Sequence, residues 1–239
     1  MPGYTRRQLK EDKLAETAKG AAHWAGDHRQ TVIWAGGIVL VLALALGGLW
    51  IWHGRQTEQA NMEMGTALRT FRAHLRPPGA PATPADDTAP SFATIAERGK
   101  AAEKQLKSIA DKFPYTGPGK IARYLEGIAS MQAGDNAAAE QQLKTAADFR
   151  DKDIAALAKI SLATLYRSTN RARDAVKVYK DLADHPTATV SKAQAQLELA
   201  EMYETTDPSQ AASIYEQLKK DDPAGPVGQI ATAKLAKPK

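Results

Sequence analysis

The chain of 239 residues contains no cysteine. No disulfide can staple it, which fits an oxidising compartment and leaves apolar burial to hold the fold together. A second absence is local: from Gln30 to Gly54 there is no Asp, Glu, Lys or Arg, although 25% of the chain is charged. The apolar part of this gap, Val32 to Trp52, is 21 residues long. At ~1.5 Å of rise per residue it spans about 31 Å, the thickness of a bilayer's hydrocarbon core. Trp34 near one end and Trp50 and Trp52 near the other suit the wet boundary of a bilayer. A buried core helix of this length would keep a polar stripe, so the run predicts one transmembrane helix. Within it Ala43-x-x-x-Gly47 offers a close-packing face to another span.

Ala43-Leu44-Ala45 has the small-x-small outline of a signal-peptide cleavage site. Cleavage there would leave an exposed apolar end, Leu46 to Trp52, and the tail before the run is longer than the usual charged leader. The run is therefore an uncleaved anchor. The tail, residues 1–31, holds six Lys and Arg, which favours a cytoplasmic N-terminus. Residues 53–239 would then lie outside the cytoplasm, in the periplasm of a diderm cell, with the span in the inner membrane. The net charge of +5 divides as +2 in the tail and +3 beyond it, with both signs interspersed. Such a surface is solvated and gives no nucleic-acid footprint.

Catalytic patterns are missing too. His23, His28, His53, His74 and His185 are scattered without metal-ligand spacing, and there is no nucleophile elbow or phosphate loop. Gly117-x-Gly119-x-x-Ala122 has part of a dinucleotide-binding outline, but no strand precedes it. The expectation is a binding protein, not an enzyme, with no cofactor, no metal and no small-molecule substrate.

What is present is helix. Apolar residues recur three and four apart over Met62–Leu75, Ala101–Phe113, Ile121–Met131, Ala137–Ala147, Ile154–Tyr166, Ala172–Ala183, Ala193–Tyr203 and Pro208–Leu218, and nothing reads as a strand. A period close to 36 residues links them. Small residues recur at Gly127, Ala163 and Ala200 and at Ala139, Ala175 and Ala211; larger ones recur at Leu143, Tyr179 and Tyr215. Leu162-Ala163-x-x-Tyr166 is echoed by Leu199-Ala200-x-x-Tyr203, each followed by a turn, a helix and then Pro186 or Pro223. The small residue lets two helices of a hairpin approach, the aromatic fills the gap one turn on, and the Pro stops the second helix. Turn chemistry agrees at Gly134-Asp135 and Asp207-Pro208-Ser209-Gln210. Thr116-Gly117-Pro118-Gly119 predicts a complete break, and Pro77–Ser91, five of whose fifteen residues are Pro, predicts a solvated loop.

This order of small residue, aromatic, turn, small residue, aromatic and Pro resembles the tetratricopeptide repeat. The resemblance implies an all-α fold: one N-terminal transmembrane helix, then a solenoid of about four hairpins over Glu58–Pro114, Lys120–Asp151, Leu157–Pro186 and Ala193–Pro223. Gly225–Lys237 would cap it. Three departures are that the period is nearer 36 than the usual 34, that Asp151 stands where the other repeats carry Pro and that the first repeat is split by the Pro-rich insertion.

In such arrays the concave groove is lined by the first helix of each pair, on the side away from the small residues. Here that side carries Tyr124, Ile128, Met131 and Gln132, then Ile160, Thr164, Arg167 and Ser168, then Gln194, Leu197, Glu201 and Glu204; of these Tyr124, Ile128, Met131, Gln132, Thr164, Arg167, Gln194 and Glu201 are the candidate partner-binding residues. It lacks the Lys and Asn pattern that clamps a C-terminal carboxylate in members of this superfamily. The apolar patch at Tyr124, Ile128 and Met131 suits an unfolded or helical protein segment.

A narrower resemblance rests on Trp24 and Arg29 before the span, Trp50-Ile51-Trp52 closing it, and the polar helix Gln56–Phe71 running straight on. It is to the ancillary subunits of the SecYEG translocon, inner-membrane proteins with a periplasmic tetratricopeptide-like domain. That implies SecYEG and periplasmic chaperones as partners. A general periplasmic scaffold for envelope assembly, pilus biogenesis or division is the alternative.

Overall fold

No proline interrupts Arg29–Phe71, and in the computed structural model the apolar run and the polar stretch after it form one helix of 43 residues, α1. The structure describes residues 28–77, 79 and 90–236, apart from the side chains of Val32 and Ala35. Contacts divide the chain into two units, Met1–Arg55 and Gln56–Lys239. In the first, Ile38 to Leu42 and Trp50 to Trp52 are exposed, and no atom outside the helix's own backbone approaches the Cβ position of Gly36, Gly37, Gly47 or Gly48. Among the described residues α1 is the one helix long and apolar enough to cross a membrane, by length and composition.

In the second unit α1 ends earlier than its periodicity suggests. His74–Leu75 (β1) is extended and pairs in parallel with Ser91–Phe92 (β2), His74 opposite Ser91 and Leu75 opposite Phe92. The Arg76 amide extends the pairing, donating to the Phe92 carbonyl at 2.9 Å. Helical periodicity instead carries the helix to Leu75, the Pro-rich composition puts Ser91 in the loop, and no stretch of the sequence predicts a strand. A two-residue pairing is too short for any alternation to appear in sequence. Most of the Pro-rich segment between the strands lies outside the described residues.

Eight further helices follow: α2 (Ile95–Lys112), α3 (Gly117–Ala133), α4 (Asn136–Ala147), α5 (Lys152–Ser168), α6 (Ala172–Asp184), α7 (Lys192–Thr206), α8 (Pro208–Asp221) and α9 (Pro226–Leu235). Local chemistry sets their ends. Thr94, Thr116, Asp135, Asp151, Ser191 and Asp207 each accept a backbone N–H from the first turn of the helix they precede. Gly134 stops α3 at φ 84°, the left-handed conformation that glycine adopts without strain. Phe113, His185 and Asp222 stop α2, α6 and α8 by leaving the helical region, at ψ 47°, 65° and 70°, and each is followed by Pro, which disfavours helical backbone in the residue before it. Where Pro is missing after α4, Asp151 instead caps the next helix, accepting from the Asp153 and Ile154 amides.

Thr116–Gly119 is not the complete break its composition suggests. Only Pro114, Tyr115 and Thr116 lie between Phe113 and α3, and Gly117, Pro118 and Gly119 form that helix's first turn. Pro118 sits where no intrahelical donor is needed, and a side chain on Gly119 would run into the Phe113 carbonyl.

The repeat columns face inward as their period requires. Ala139, Leu143, Ala163, Ala175, Tyr179, Ala200, Ala211 and Tyr215 are all buried. Gly127 is buried as well, and a Cβ on it would lie 2.7 Å from Leu143 Cγ. One apolar cluster joins Ala60, Met64 and Ala67 of α1 with Leu106, Ile109 and Ala129. A larger one runs from Ala139 of α4 to Ala231 of α9. Because α3 contributes Ala129 to the first and packs Tyr124, Ile128 and Met131 against the second, it joins the two cores. The fold is all-α, a tetratricopeptide-like solenoid of four hairpins closed by α9, preceded by the apolar helix.

Candidate partner-binding surface

Ile128, Met131 and Gln132 of α3 face Ser161 and Thr164 of α5 across a shallow cavity of about 270 Å³. They stand on first helices of neighbouring hairpins, on the side turned away from the buried small residues, so the helical period that buries Gly127 and Ala163 presents them to the groove. The Ser161 and Thr164 hydroxyls donate to the Leu157 and Ile160 carbonyls of their own helix, at 2.9 and 3.0 Å. This consumes their donors and leaves a mainly apolar floor. Gln132 is held from behind, its Oε1 accepting from Arg98 Nη2 at 3.4 Å.

One turn along α5, charge replaces apolar surface. Arg167 Nη1 lies 3.4 Å from Glu198 Oε2 and 3.8 Å from Glu201 Oε2 on α7. Lys234 of α9 reaches Glu201 at 3.4 Å and Glu204 at 3.0 Å. Tyr215 donates its hydroxyl to Glu204 Oε1 at 2.7 Å; burial, then this carboxylate, pushes the phenol far above its usual range. Tyr179 donates to Glu198 Oε2 at 3.4 Å.

Of the eight residues proposed from sequence, four line the cavity: Ile128, Met131, Gln132 and Thr164. Arg167 and Glu201 meet in the ion-pair network instead. Tyr124 is half-buried against the core, and Gln194 is exposed in the first turn of α7. Ser161, Glu198 and Lys234 were missed. Glu198 could have been found, since it lies three residues before Glu201 on the same helix. Ala43 and Gly47 lie four apart on the exposed apolar run of α1, where a Cβ on Gly47 would meet nothing within 4 Å.

Other cavities open elsewhere among the described residues. One of about 610 Å³ lies between α1 and α2 beside Glu63, Lys104 and Gln105. Another, of about 360 Å³, lies between α5 and α6 beside Lys159, Asp181 and His185. The buried Glu126 carboxyl lines none of the three. Burial raises its pKa, opposed by Arg123, whose Nη1 sits 2.7 Å away and whose guanidinium also pairs with Asp111 and holds that carboxyl below its usual range. This arrangement ties α3 to α2 and reaches Gln142 of α4. Among the described residues no group of three or more His, Asp or Glu side chains is placed to hold a metal ion.

The family profile described as a tetratricopeptide repeat-like domain matches residues 23–181. Among solved structures the chain is similar to a Podosopora anserina putative kinesin light chain with nearly identical TPR-like repeats, at 16% identity and a TM-score of 0.50, over 58% of this chain and 76% of that one. A single-substitution form of that protein matches over the same shares, at 16% identity and a TM-score of 0.49. No curated protein matches the chain. The likeness to the kinesin light chain concerns the fold alone, while the profile covers more than half of the chain, reaching from before the apolar run into α6, the second helix of the third hairpin. This chain therefore belongs to the tetratricopeptide repeat-like domain family, whose fold serves as a scaffold for protein interactions.

Proposed function

We propose that this chain is a membrane-anchored scaffold that binds protein partners in the groove along α3, α5 and α7, and that it is an ancillary translocon subunit linking SecYEG to periplasmic chaperones. Residues 1–31 are cytoplasmic, 32–52 cross the inner membrane once and contact lipid, and 53–239 are periplasmic. The observation that carries the binding reading is the mainly apolar cavity at Ile128, Met131 and Thr164, which opens between the first helices of two neighbouring hairpins. The anchor is supported by the uncharged run of α1, whose large apolar side chains are exposed. The family match, which begins at residue 23, includes that run. The translocon assignment rests on the resemblance carried by Trp24, Arg29, Trp50-Ile51-Trp52 and the polar helix beyond them. Purification of the full chain in mild detergent tests it: SecYEG subunits and periplasmic chaperones are the expected companions. Recovery of envelope-assembly, pilus or division proteins instead would replace that assignment with the general periplasmic scaffold, and recovery of neither would overturn both.

A further inference from the structure

A polar seam runs between α2 and α3. At one end Arg123 Nη2 donates to Asp111 Oδ1, and at the other Ser130 Oγ donates to Glu103 Oε1 at 3.0 Å. Glu126 lies between Arg123 and Ser130 on α3, and its side chain is only 2% exposed. Among the described residues it has one close cation, Arg123 Nη1 at 2.7 Å, and the same guanidinium also serves Asp111 and Gln142 of α4. Lys107 of α2 pairs with Asp111 at 3.3 Å and acts on Glu126 only through space. The groups around Glu126 are thus Glu103, Lys107 and Asp111 from α2, Arg123 from its own helix and the neutral Gln142 from α4. A sealed carboxylate that shares its counter-charge with a second carboxylate is costly, whereas its protonated form is not.

We infer that this seam is a proton-responsive joint: Glu126 takes up a proton as the pH falls below neutral, and the uptake firms α3 against α2. Ile128 and Met131, which wall the groove cavity, stand on the same helix, so the joint bears on how firmly that wall is held. The inference does not depend on what the groove binds. When α3 lifts from α2, Glu126 meets water and becomes an ordinary carboxyl. The packed state therefore holds the proton more tightly than the opened one, and acid favours packing. Burial, the largest effect, raises the Glu126 pKa above its ordinary 4.5; Asp111 adds to the rise, while Arg123 and Lys107 oppose it. The stability gained on protonation is complete below pH 4.5 and is lost as the pH rises through the raised value. Asp111 has the opposite sign: Arg123 holds its pKa below 3.8, so its pairing is lost only in stronger acid. Of these two carboxyls, Glu126 is the one that changes charge between neutrality and pH 4.5.

The test is hydrogen–deuterium exchange on the full chain in phosphatidylcholine nanodiscs at pH 7 and pH 5. Rates are corrected for the intrinsic pH dependence of exchange, and α8 serves as the internal reference. In the parent, α3 amides should exchange at least a few-fold more slowly at pH 5 than at pH 7, relative to α8. Glu126→Gln is a permanently neutral stand-in that leaves Arg123 its Asp111 and Gln142 partners, so the variant should fold. Its α3 should be as protected at pH 7 as the parent's is at pH 5, with little further change on acidification. Parent α3 exchange that is unchanged or faster at pH 5 overturns the inference, whether or not the variant folds. A variant that keeps the parent's pH response shows that another group titrates, and overturns it too. So does a variant whose α3 is less protected than the parent's at pH 7, because the ionised pair would then be what holds the seam.

Discussion

A Cβ built on Gly99 would lie 2.6 Å from the Ala133 nitrogen and 2.8 Å from the Ala129 oxygen, so α2 and α3 touch backbone to backbone there. Backbone cannot step aside as a flexible side chain can. Gly99→Ala should therefore cost about 1 to 3 kcal/mol of stability. Gly65 is also inside a helix, but a Cβ there meets nothing within 4 Å. Gly65→Ala should gain about 0.5 to 1 kcal/mol by restricting the unfolded chain. Thermal unfolding of the pair reads both signs, and a shift in the same direction would refute the packing argument. Ala163 and Ala200 are fully buried. Ala163→Trp and Ala200→Trp should each lower the melting temperature through overpacking of about 1 to 3 kcal/mol or more. Charge acts at this scale too. Glu140 accepts from Arg171 Nη1 at 2.6 Å and Tyr166 Oη at 3.1 Å and pairs with Lys144 at 2.7 Å. Arg171 also lies over the Tyr166 ring, 4.1 Å from its centroid. Lys144 first, then Arg171 and Tyr166, hold the Glu140 pKa down at about 2 against the opposing effect of burial. A carboxyl depressed on folding adds stability above its unfolded pKa of about 4.5 and loses it as the pH falls through the folded value. Its side chain is 23% exposed, so a discounted cost of about 1 to 2 kcal/mol is expected for Glu140→Gln at pH 7. The difference between variant and parent should fade from pH 4.5 toward pH 2, and a constant difference would mean that the carboxylate charge is not the cause.

At the scale of elements, the two ends of the Pro-rich segment are pinned. The β1–β2 pair and the Arg76 side chain, whose Nη1 donates to the Ser91 carbonyl at 3.2 Å, hold its two ends side by side. Replacing residues 78–89 by four Gly and Ser residues should leave stability unchanged or raise it by up to about 1 kcal/mol, because closing a shorter loop costs less entropy. A large fall in melting temperature would show that the segment packs on the array. The contrast between the pair and the helices shows what the sequence made legible. The columns at Gly127, Ala163 and Ala200 recur with the period because every hairpin meets the same packing problem. Caps at Asp135 and Asp207 are legible because their chemistry is local. The β1–β2 pair is not, since it depends on contacts fifteen or more residues apart and leaves no periodic trace. Nor is Gly99, whose neighbours are backbone atoms of another helix and carry no residue-type signal. The groove was half legible. Helical phase gave Ile128, Met131, Gln132 and Thr164, whereas Lys234 belongs to α9, outside the repeat pattern, so no period could place it opposite Glu201 and Glu204.

At the scale of the whole molecule, the proposed function depends on which side of the bilayer the array occupies. The uncharged run fixes that there is a candidate span, but the charges beside it are balanced. Lys13, Lys19 and Arg29 precede it within 20 residues, and Arg55, Arg69 and Arg72 follow it. A large domain crosses largely regardless of its own charge, so the short tail should decide, and its six Lys and Arg favour the cytoplasm. Protease added to spheroplasts should therefore digest residues 53–239 and spare the tail. Protection of the array would put it in the cytoplasm, where it could not meet periplasmic chaperones. A second arm isolates the cause. Replacing Arg6, Arg7, Lys10, Lys13, Lys19 and Arg29 by Gln removes the tail's basic residues without touching the array, and part of the population should then become protease-protected. If the array stays fully accessible in that variant, its orientation is set by translocation of the domain and not by the tail, and the charge argument fails even though the topology stands.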